Sequence, residues 1–214
     1  MPILKVFDDI IEKPLQEKIK STLFEDNFPW FFISDVTSSS AANQGRPSFF
    51  HMFYDNYNEN SDFCWMPQEI VSKVIVELKL KITQIIKSRT FFQLPLSSQY
   101  LKDNTVDNAH VDMDTPHLVF LYYVVDSDGD TIIYDKKWEK GTQNMSSEET
   151  AKLLIKKRVT PKQGRLVVFD GKYWHTAEQP KYNKRCVINT DITYEGINAN
   201  VDFIIRELKK NTQT

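Results

Sequence analysis

The chain has 214 residues, a formal net charge of -2, 41% hydrophobic residues and 13% aromatic residues. That composition supports one domain with a sizeable core and excludes wholesale disorder. The near-neutral charge, with no clustered basic stripe, disfavours a nucleic-acid partner, and no apolar run approaches the roughly 18 residues needed to span a bilayer.

The opening MPILKVFDDI lacks a basic region followed by a long apolar one, and the two cysteines, Cys64 and Cys186, lie far apart. Both features fit a reduced, cytoplasmic protein. Residues 1–89 read mainly as helix and loop. In DDIIEKPLQEKIKSTLF, Ile11, Leu15, Ile19 and Leu23 recur every four residues, which predicts a helix capped by Asp8 or Asp9. SSSAANQG, 38–45, reads as a flexible loop. In FFHMFYD, Phe49, His51 and Phe53 alternate as on one face of a strand, with His51 partly buried and hydrogen-bonded, or at the mouth of a pocket. MPQEIVSKVIVELKLKITQIIKSR predicts the clearest helix, with Pro67 in its first turn and a stripe of Ile70, Val74, Leu78, Ile82 and Ile85 or Ile86.

After Arg89 the texture changes. TFFQLPLSSQYLKD, HLVFLYYVVDS, DTIIYD, GRLVVFD and RCVINTDITYE are short, β-branched and aromatic, which is strand chemistry. DSDGD, 126–130, reads as a tight hairpin turn built on Gly129. SSEETAKLLIKK, 146–157, opens with a capping box of Ser146 and Glu149 and predicts a short helix, with Lys152, Lys156, Lys157 and Arg158 on a solvated face. The second half is therefore all β, a sandwich, jelly roll or barrel, buttressed by N-terminal helices.

The chemistry gathers in AHVDMDTPH, 109–117, which holds two of the four histidines. On a strand, His110 and Asp112 point to the same side and offer one nitrogen and one oxygen to a common point. A third ligand must come from elsewhere. His175 follows an Asp-Gly turn at the end of a buried-looking strand. His110, Asp112 and His175 would make the two-histidine, one-carboxylate facial triad of non-haem Fe(II) oxygenases, which leaves positions open for a 2-oxo acid and dioxygen. Arg185, ten residues on, opens an apolar strand, and its planar fork suits the far carboxylate of such a ligand. Asp114 competes weakly with Asp112, and both could be turn formers in a polar loop. His117 reads as a strand-opening surface residue or a donor behind a ligand. Trp174 could wall the site or merely pack.

The order His-x-Asp, a long gap, His, then Arg, together with DGDTIIYD and GRLVVFDGKYWHTAEQP, resembles the 2-oxoglutarate and Fe(II)-dependent oxygenase superfamily, in its prolyl-4-hydroxylase-like branch, over roughly 90–195. The resemblance implies a mainly β fold, a double-stranded β-helix or jelly roll with N-terminal buttressing α-helices. It implies one oxygenase domain over 1–214, with helical support in 1–89, the β core in 90–195 and a C-terminal segment in 196–214. It further implies Fe(II) on His110, Asp112 and His175, with 2-oxoglutarate and dioxygen as co-substrates. Arg185, Tyr100, Tyr123, Thr131 and Val187 would line the 2-oxoglutarate pocket, with Tyr122 facing the other way. The relatives often carry two glycines where this chain has DGD. The activity implied is hydroxylation of a C–H bond in a small-molecule or peptide substrate, such as peptidyl proline or an amino acid, with release of succinate and CO2, by a monomer or homodimer. The alternative is a cupin-like metal-binding or sensor protein without turnover. Arg185 separates the two, because a structural metal site needs no cation aimed at a second anion.

Overall fold

The computed structural model describes residues 3–36, 46–80, 83–101 and 106–194. In chain order the elements are β1 (Leu4–Phe7), α1 (Lys13–Leu23), β2 (Phe31–Ile33), β3 (Ser48–Asp55), β4 (Asn58–Glu59), α2 (Trp65–Leu78), β5 (Thr83–Gln93), α3 (Ser98–Leu101), β6 (Leu118–Tyr123), β7 (Thr131–Lys137), α4 (Ser147–Thr150), β8 (Ile155–Val159), β9 (Leu166–Asp170), β10 (Tyr173–Ala177) and β11 (Arg185–Tyr194). They form two antiparallel sheets. The larger runs β1-β9-β6-β11-β5-β3-β2, with β4 on β3; the smaller runs β10-β7-β8. This is a mainly β, two-layered jelly-roll arrangement.

Strand β6 explains why the sheets stack. Its residues LVFLYY are buried on both faces. Leu118, Phe120 and Tyr122 join Ile19, Leu23, Ile70 and Val74 of the helices in one core. Val119, Leu121 and Tyr123 turn the other way and pack with Ile133, Val159 and Tyr173 of the smaller sheet. Period-two alternation with apolar residues in both registers yields a strand that must be covered on both sides. Each such fully buried side chain contributes roughly 1.5–3 kcal/mol. Cys64 and Cys186 are free and buried in the helical-side core. Among the described residues no helix is long and apolar enough to cross a membrane.

Several expectations are corrected. Residues 1–89 are not merely helical, since β1 to β4 and the start of β5 lie there. Helix α1 starts after Glu12, with Pro14 in its first turn, so neither Asp8 nor Asp9 caps it. Asp9 adopts a left-handed φ of 53°, and its carboxylate accepts from Lys13 and Gln16. Helix α2 stops at Leu78, where Lys79 turns left-handed, and Ile85 and Ile86 belong to β5; Ile82 lies outside the described residues. Strand β5 pairs with β11 from Thr83 to Gln93 and with β3 from Ser88 to Phe92, and those ladders override the helical periodicity.

The segment 126–130 is not a hairpin turn. Strand β6 pairs with β9 and β11 while β7 pairs with β10 and β8, so the segment crosses between sheets. Gly129 is needed for a close approach rather than a left-handed φ: a Cβ there would stand 2.6 Å from the Glu178 carbonyl oxygen. The capping box of Ser146 and Glu149 is present, but it starts a single turn, and Ile155–Val159 form the edge strand β8. Lys156, Lys157 and Arg158 are thus on an exposed strand, not a helix face. The loop 38–45 lies outside the described residues.

Candidate metal centre

His110 and His175 meet through the backbone first. His110 N–H donates to the His175 carbonyl at 2.9 Å, and His175 N–H donates back at 3.0 Å. His110 is thereby an isolated bridge on β10 rather than part of a longer strand. A reciprocal antiparallel pair sends both side chains to the same side, and the ring centroids stand 4.6 Å apart. Each imidazole Nδ1 faces a carbonyl two residues back, His175 to Tyr173 at 3.0 Å and His110 to Asn108 at 3.4 Å. A carbonyl only accepts, so Nδ1 carries the proton and Nε2 presents its lone pair.

Asp112 completes the set. Its Oδ2 lies 3.3 Å from His175 Nε2. Ligand atoms of His110, Asp112 and His175 all lie within 4.8 Å of one another. Neighbouring ligands of an octahedral ion at roughly 2.1 Å stand about 3 Å apart, so these residues fit a divalent metal with a small inward approach. The electrostatics agree. Burial, then the neighbouring His175, brings the His110 pKa down to about 4, leaving it neutral and ready to ligate. Burial alone would raise Asp112, but the Arg89 guanidinium and the two imidazoles hold it well below the usual carboxylate range.

Asp112 is fixed from behind by two residues that the sequence did not single out. Arg89 Nη2 donates to Oδ1 at 2.5 Å, and Asn189 Nδ2 lies 3.4 Å from Oδ1 and 3.3 Å from Oδ2. Arg89 on β5 and Asn189 on β11 are direct register partners. Asp114, the competitor, is exposed.

A cavity of about 120 Å³ runs from His110 and His175 to Thr131, Val187 and Arg185. Arg185 is 5% exposed. Its Nε donates to the Gly129 carbonyl at 3.1 Å, Nη1 to Gln93 Oε1 at 3.1 Å and Nη2 to Thr131 Oγ1 at 3.0 Å. Burial lowers its pKa. All three acceptors are neutral, and no carboxylate among the described residues forms an ion pair with Arg185. A buried guanidinium so held favours an anionic ligand. Tyr123, fully buried, sits opposite Val187, and its hydroxyl has no hydrogen-bond partner among the described residues. Burial pushes that phenol up to about 12, so it is a neutral donor. Gln93, unremarked in the sequence, is held by Gln179 at 3.2 Å.

A second, more polar cavity of about 270 Å³ adjoins the first at His110, Phe91, Asp107 and Asn189, and continues past Asn108, Gln143 and Asn144. Asp107 forms a buried ion pair with Arg46.

Tyr100 is not brought to the site: it is 56% exposed on α3 and lines neither cavity. Trp174 alternates with His175 on β10 and packs with Ala109, Ile132 and Met145 instead. His51 is buried, with Nδ1 at 3.0 Å from the Pro29 carbonyl and Nε2 at 2.7 Å from Ser61 Oγ. His117 is fully buried, not a surface residue.

No protein-family model matches the chain, and no curated protein matches it in sequence. Solved structures do match in shape. An oxidoreductase of the 2OG-Fe(II) oxygenase family from Burkholderia pseudomallei has a TM-score of 0.60 at 8% identity, covering 90% of this chain and 84% of that one. The fold is that of the 2-oxoglutarate and Fe(II) oxygenases. HygX from Streptomyces hygroscopicus, solved with nickel, 2-oxoglutarate and hygromycin B, has a TM-score of 0.56 at 10% identity, covering 90% and 83%. The viral collagen prolyl hydroxylase of Paramecium bursaria Chlorella virus-1, in its 2-oxoglutarate complex, has a TM-score of 0.51 at 11% identity, covering 88% and 94%. The double-stranded β-helix expected of this oxygenase fold is therefore present, and prolyl hydroxylases are among its structural neighbours.

Proposed function

We propose that the chain, taken as one domain over 1–214, is a 2-oxoglutarate- and Fe(II)-dependent oxygenase that hydroxylates a C–H bond. His110, Asp112 and His175 would hold the metal. When bound, Fe(II) with 2-oxoglutarate supplies the activation of dioxygen and the oxidation of the C–H bond, 2-oxoglutarate leaving as succinate and CO2. Arg185 anchors the far carboxylate, with Thr131 and Gln93 fixing the guanidinium plane. Tyr123 donates its hydroxyl toward the same end, and Val187 gives the cavity an apolar side that excludes water. Tyr100, exposed and away from the cavity, has no part in this reading.

The observation that carries the proposal is Arg185, a buried cation whose hydrogen-bond partners among the described residues are all neutral, at the far end of a cavity that starts at two histidines. The cupin-like alternative gives that cation nothing to hold. The substrate enters from the polar cavity and is a small molecule or a peptide, as HygX is solved with hygromycin B and a Trichoplax adhaerens prolyl hydroxylase with a peptide fragment. A prolyl or amino-acid substrate is the finer form of the reading.

The test is anaerobic titration of 2-oxoglutarate into Fe(II)-loaded protein. Chelation by the 2-oxo acid is expected to give a visible metal-to-ligand charge-transfer band that saturates, weakens in Arg185→Met and vanishes in His175→Ala. Metal binding without a band would favour the cupin-like alternative, and no metal binding would end both.

A further inference from the structure

Behind Asp112 lies a group of buried charges that metal ligation alone does not explain. Arg89 Nη2 is 2.5 Å from Asp112 Oδ1 and 4.0 Å from Asp191 Oδ2. Asp191 is fully buried, and neither of its carboxylate oxygens has a hydrogen-bond partner among the described residues. His117 Nε2 stands 3.9 Å from Asp191 Oδ1 and likewise has no hydrogen-bond partner among the described residues, while its Nδ1 lies 2.7 Å from the Thr115 carbonyl. Ligand atoms of Asp112, His117 and Asp191 come within 4.8 Å of one another. A second metal is unnecessary there, because Arg89 already supplies a cation reaching both carboxylates. The guanidinium is also steadied by Phe91, whose ring centroid is 5.5 Å from its Cζ.

The two Asp112 oxygens are therefore not equivalent. Oδ2 turns to His175 at 3.3 Å, and Oδ1 turns to Arg89. Asn189, directly opposite Arg89 in register, spans both oxygens and fixes the plane of the carboxylate. A carboxylate can bind a metal through one oxygen or chelate it through both. The difference matters for the metal centre proposed above, on which this inference rests. Three protein ligands leave three of six octahedral positions, two for a 2-oxo acid and one for dioxygen. A chelating aspartate would take one of them. We propose that Arg89 is a positioning residue that occupies Asp112 Oδ1 and so restricts Asp112 to one-oxygen ligation. Arginine suits the task because its guanidinium donates to a carboxylate oxygen without giving up its charge.

The test uses the full chain loaded with Co(II) without oxygen, comparing wild type with Arg89→Met and Arg89→Lys. Co(II) absorption reports coordination, and its change on adding 2-oxoglutarate reports the affinity for that ligand. In Arg89→Met, Co(II) affinity is expected to stay within about threefold of wild type, while 2-oxoglutarate affinity falls about tenfold or more. Arg89→Lys is expected to recover part of that loss. With Fe(II), the Arg89→Met defect should fall on KM for 2-oxoglutarate more than on kcat. If removing Arg89 leaves Asp112 and Asp191 too close for folding, the double variant Arg89→Met/Asp191→Asn removes the second carboxyl as well and carries the same expectation. Equal loss of metal and 2-oxoglutarate affinity would overturn the inference, since it would mean that Arg89 merely supports the site. Unchanged affinity for both would overturn it too, leaving the oxygenase reading intact. Failure of wild type to bind Co(II) would overturn both.

Discussion

His110 and His175 are backbone partners, each N–H donating to the other's carbonyl, at 2.9 and 3.0 Å. The two imidazoles are thus brought together by main-chain hydrogen bonds, independently of any side-chain contact between them. Truncating one ring should leave that pairing in place. His175→Ala is expected to keep the fold, at a cost of about 1–2 kcal/mol for the lost packing on Phe169. Affinity for Mn(II) or Fe(II) should fall about a hundredfold or more. Circular dichroism melts and metal titration check the two halves separately; unfolding at room temperature would refute the first.

Arg185 acts at the other end of the cavity. Removing its charge in Arg185→Met takes away charge-assisted hydrogen bonds worth about 1.5–3 kcal/mol each, so 2-oxoglutarate should bind roughly a hundredfold more weakly. Metal affinity should not change. Arg185→Lys keeps the charge but cannot engage Gly129, Gln93 and Thr131 together as the guanidinium does, and an intermediate affinity is expected. Isothermal titration with the Mn(II) form reads both values. Equal 2-oxoglutarate affinity in wild type and Arg185→Met would remove Arg185 from the site.

Gly129 allows the loop between β6 and β7 to press against Glu178, Pro180 and Arg185. A Cβ would lie 2.6 Å from one backbone atom, 3.1 Å from another and 3.2 Å from Arg185 Cδ. Gly129→Ala should therefore cost about 1–3 kcal/mol of stability and weaken 2-oxoglutarate binding by displacing Arg185. Gly141→Ala is the contrast. Its φ is +94° and nothing lies within 4 Å of the added Cβ, so only a backbone strain of roughly 1 kcal/mol is expected, with ligand binding untouched. Denaturant melts and ligand titrations distinguish the two; equal effects would mean that the close approach at Gly129 does not matter.

His51 supplies a pH dependence away from the proposed metal centre. Burial lowers its pKa below the ordinary 6.5. As pH falls through 6.5 the unfolded chain binds a proton that the folded chain still refuses, so this contribution to stability is present above pH 6.5 and lost below it. Asp107 acts in the opposite sense, because burial raises it from 3.8 to about 6, against the pull of Arg46. The His51→Gln variant isolates the first effect. Between pH 7 and pH 5 the metal-free wild type should lose more stability than the variant does, by urea denaturation. Parallel losses would show that His51 titrates alike in both states.

Strands β6, β7, β9 and β11 and the convergence of His110, Asp112 and His175 were legible in the sequence, whereas β8, β10 and α3 were not. Local signals carried the former: β-branched and aromatic runs, a His-x-Asp pair, and a histidine after an Asp-Gly turn. The capping box of Ser146 and Glu149 was legible too, because a cap is a contact between residues three apart. What failed also failed locally. Ile85 and Ile86 continue the helical stripe of α2 in spacing, yet they lie on β5, where Ile85 pairs with Ile192 of β11 and the Ile86 carbonyl accepts from Tyr57 N–H.

Arg89 and Asn189 left no sequence signal as partners, being a hundred residues apart, and neither did Gln93 beside Arg185. Tyr100 had the right spacing from His110 and ended on the surface, since α3 carries it away from the cavity. The sequence by itself determined the residue types and the β texture. Only the tertiary structure decided which strand lies beside which, because that choice is made by burying both faces of β6, β9 and β11 at once. Such burial depends on distant segments together and leaves no periodicity within any one of them.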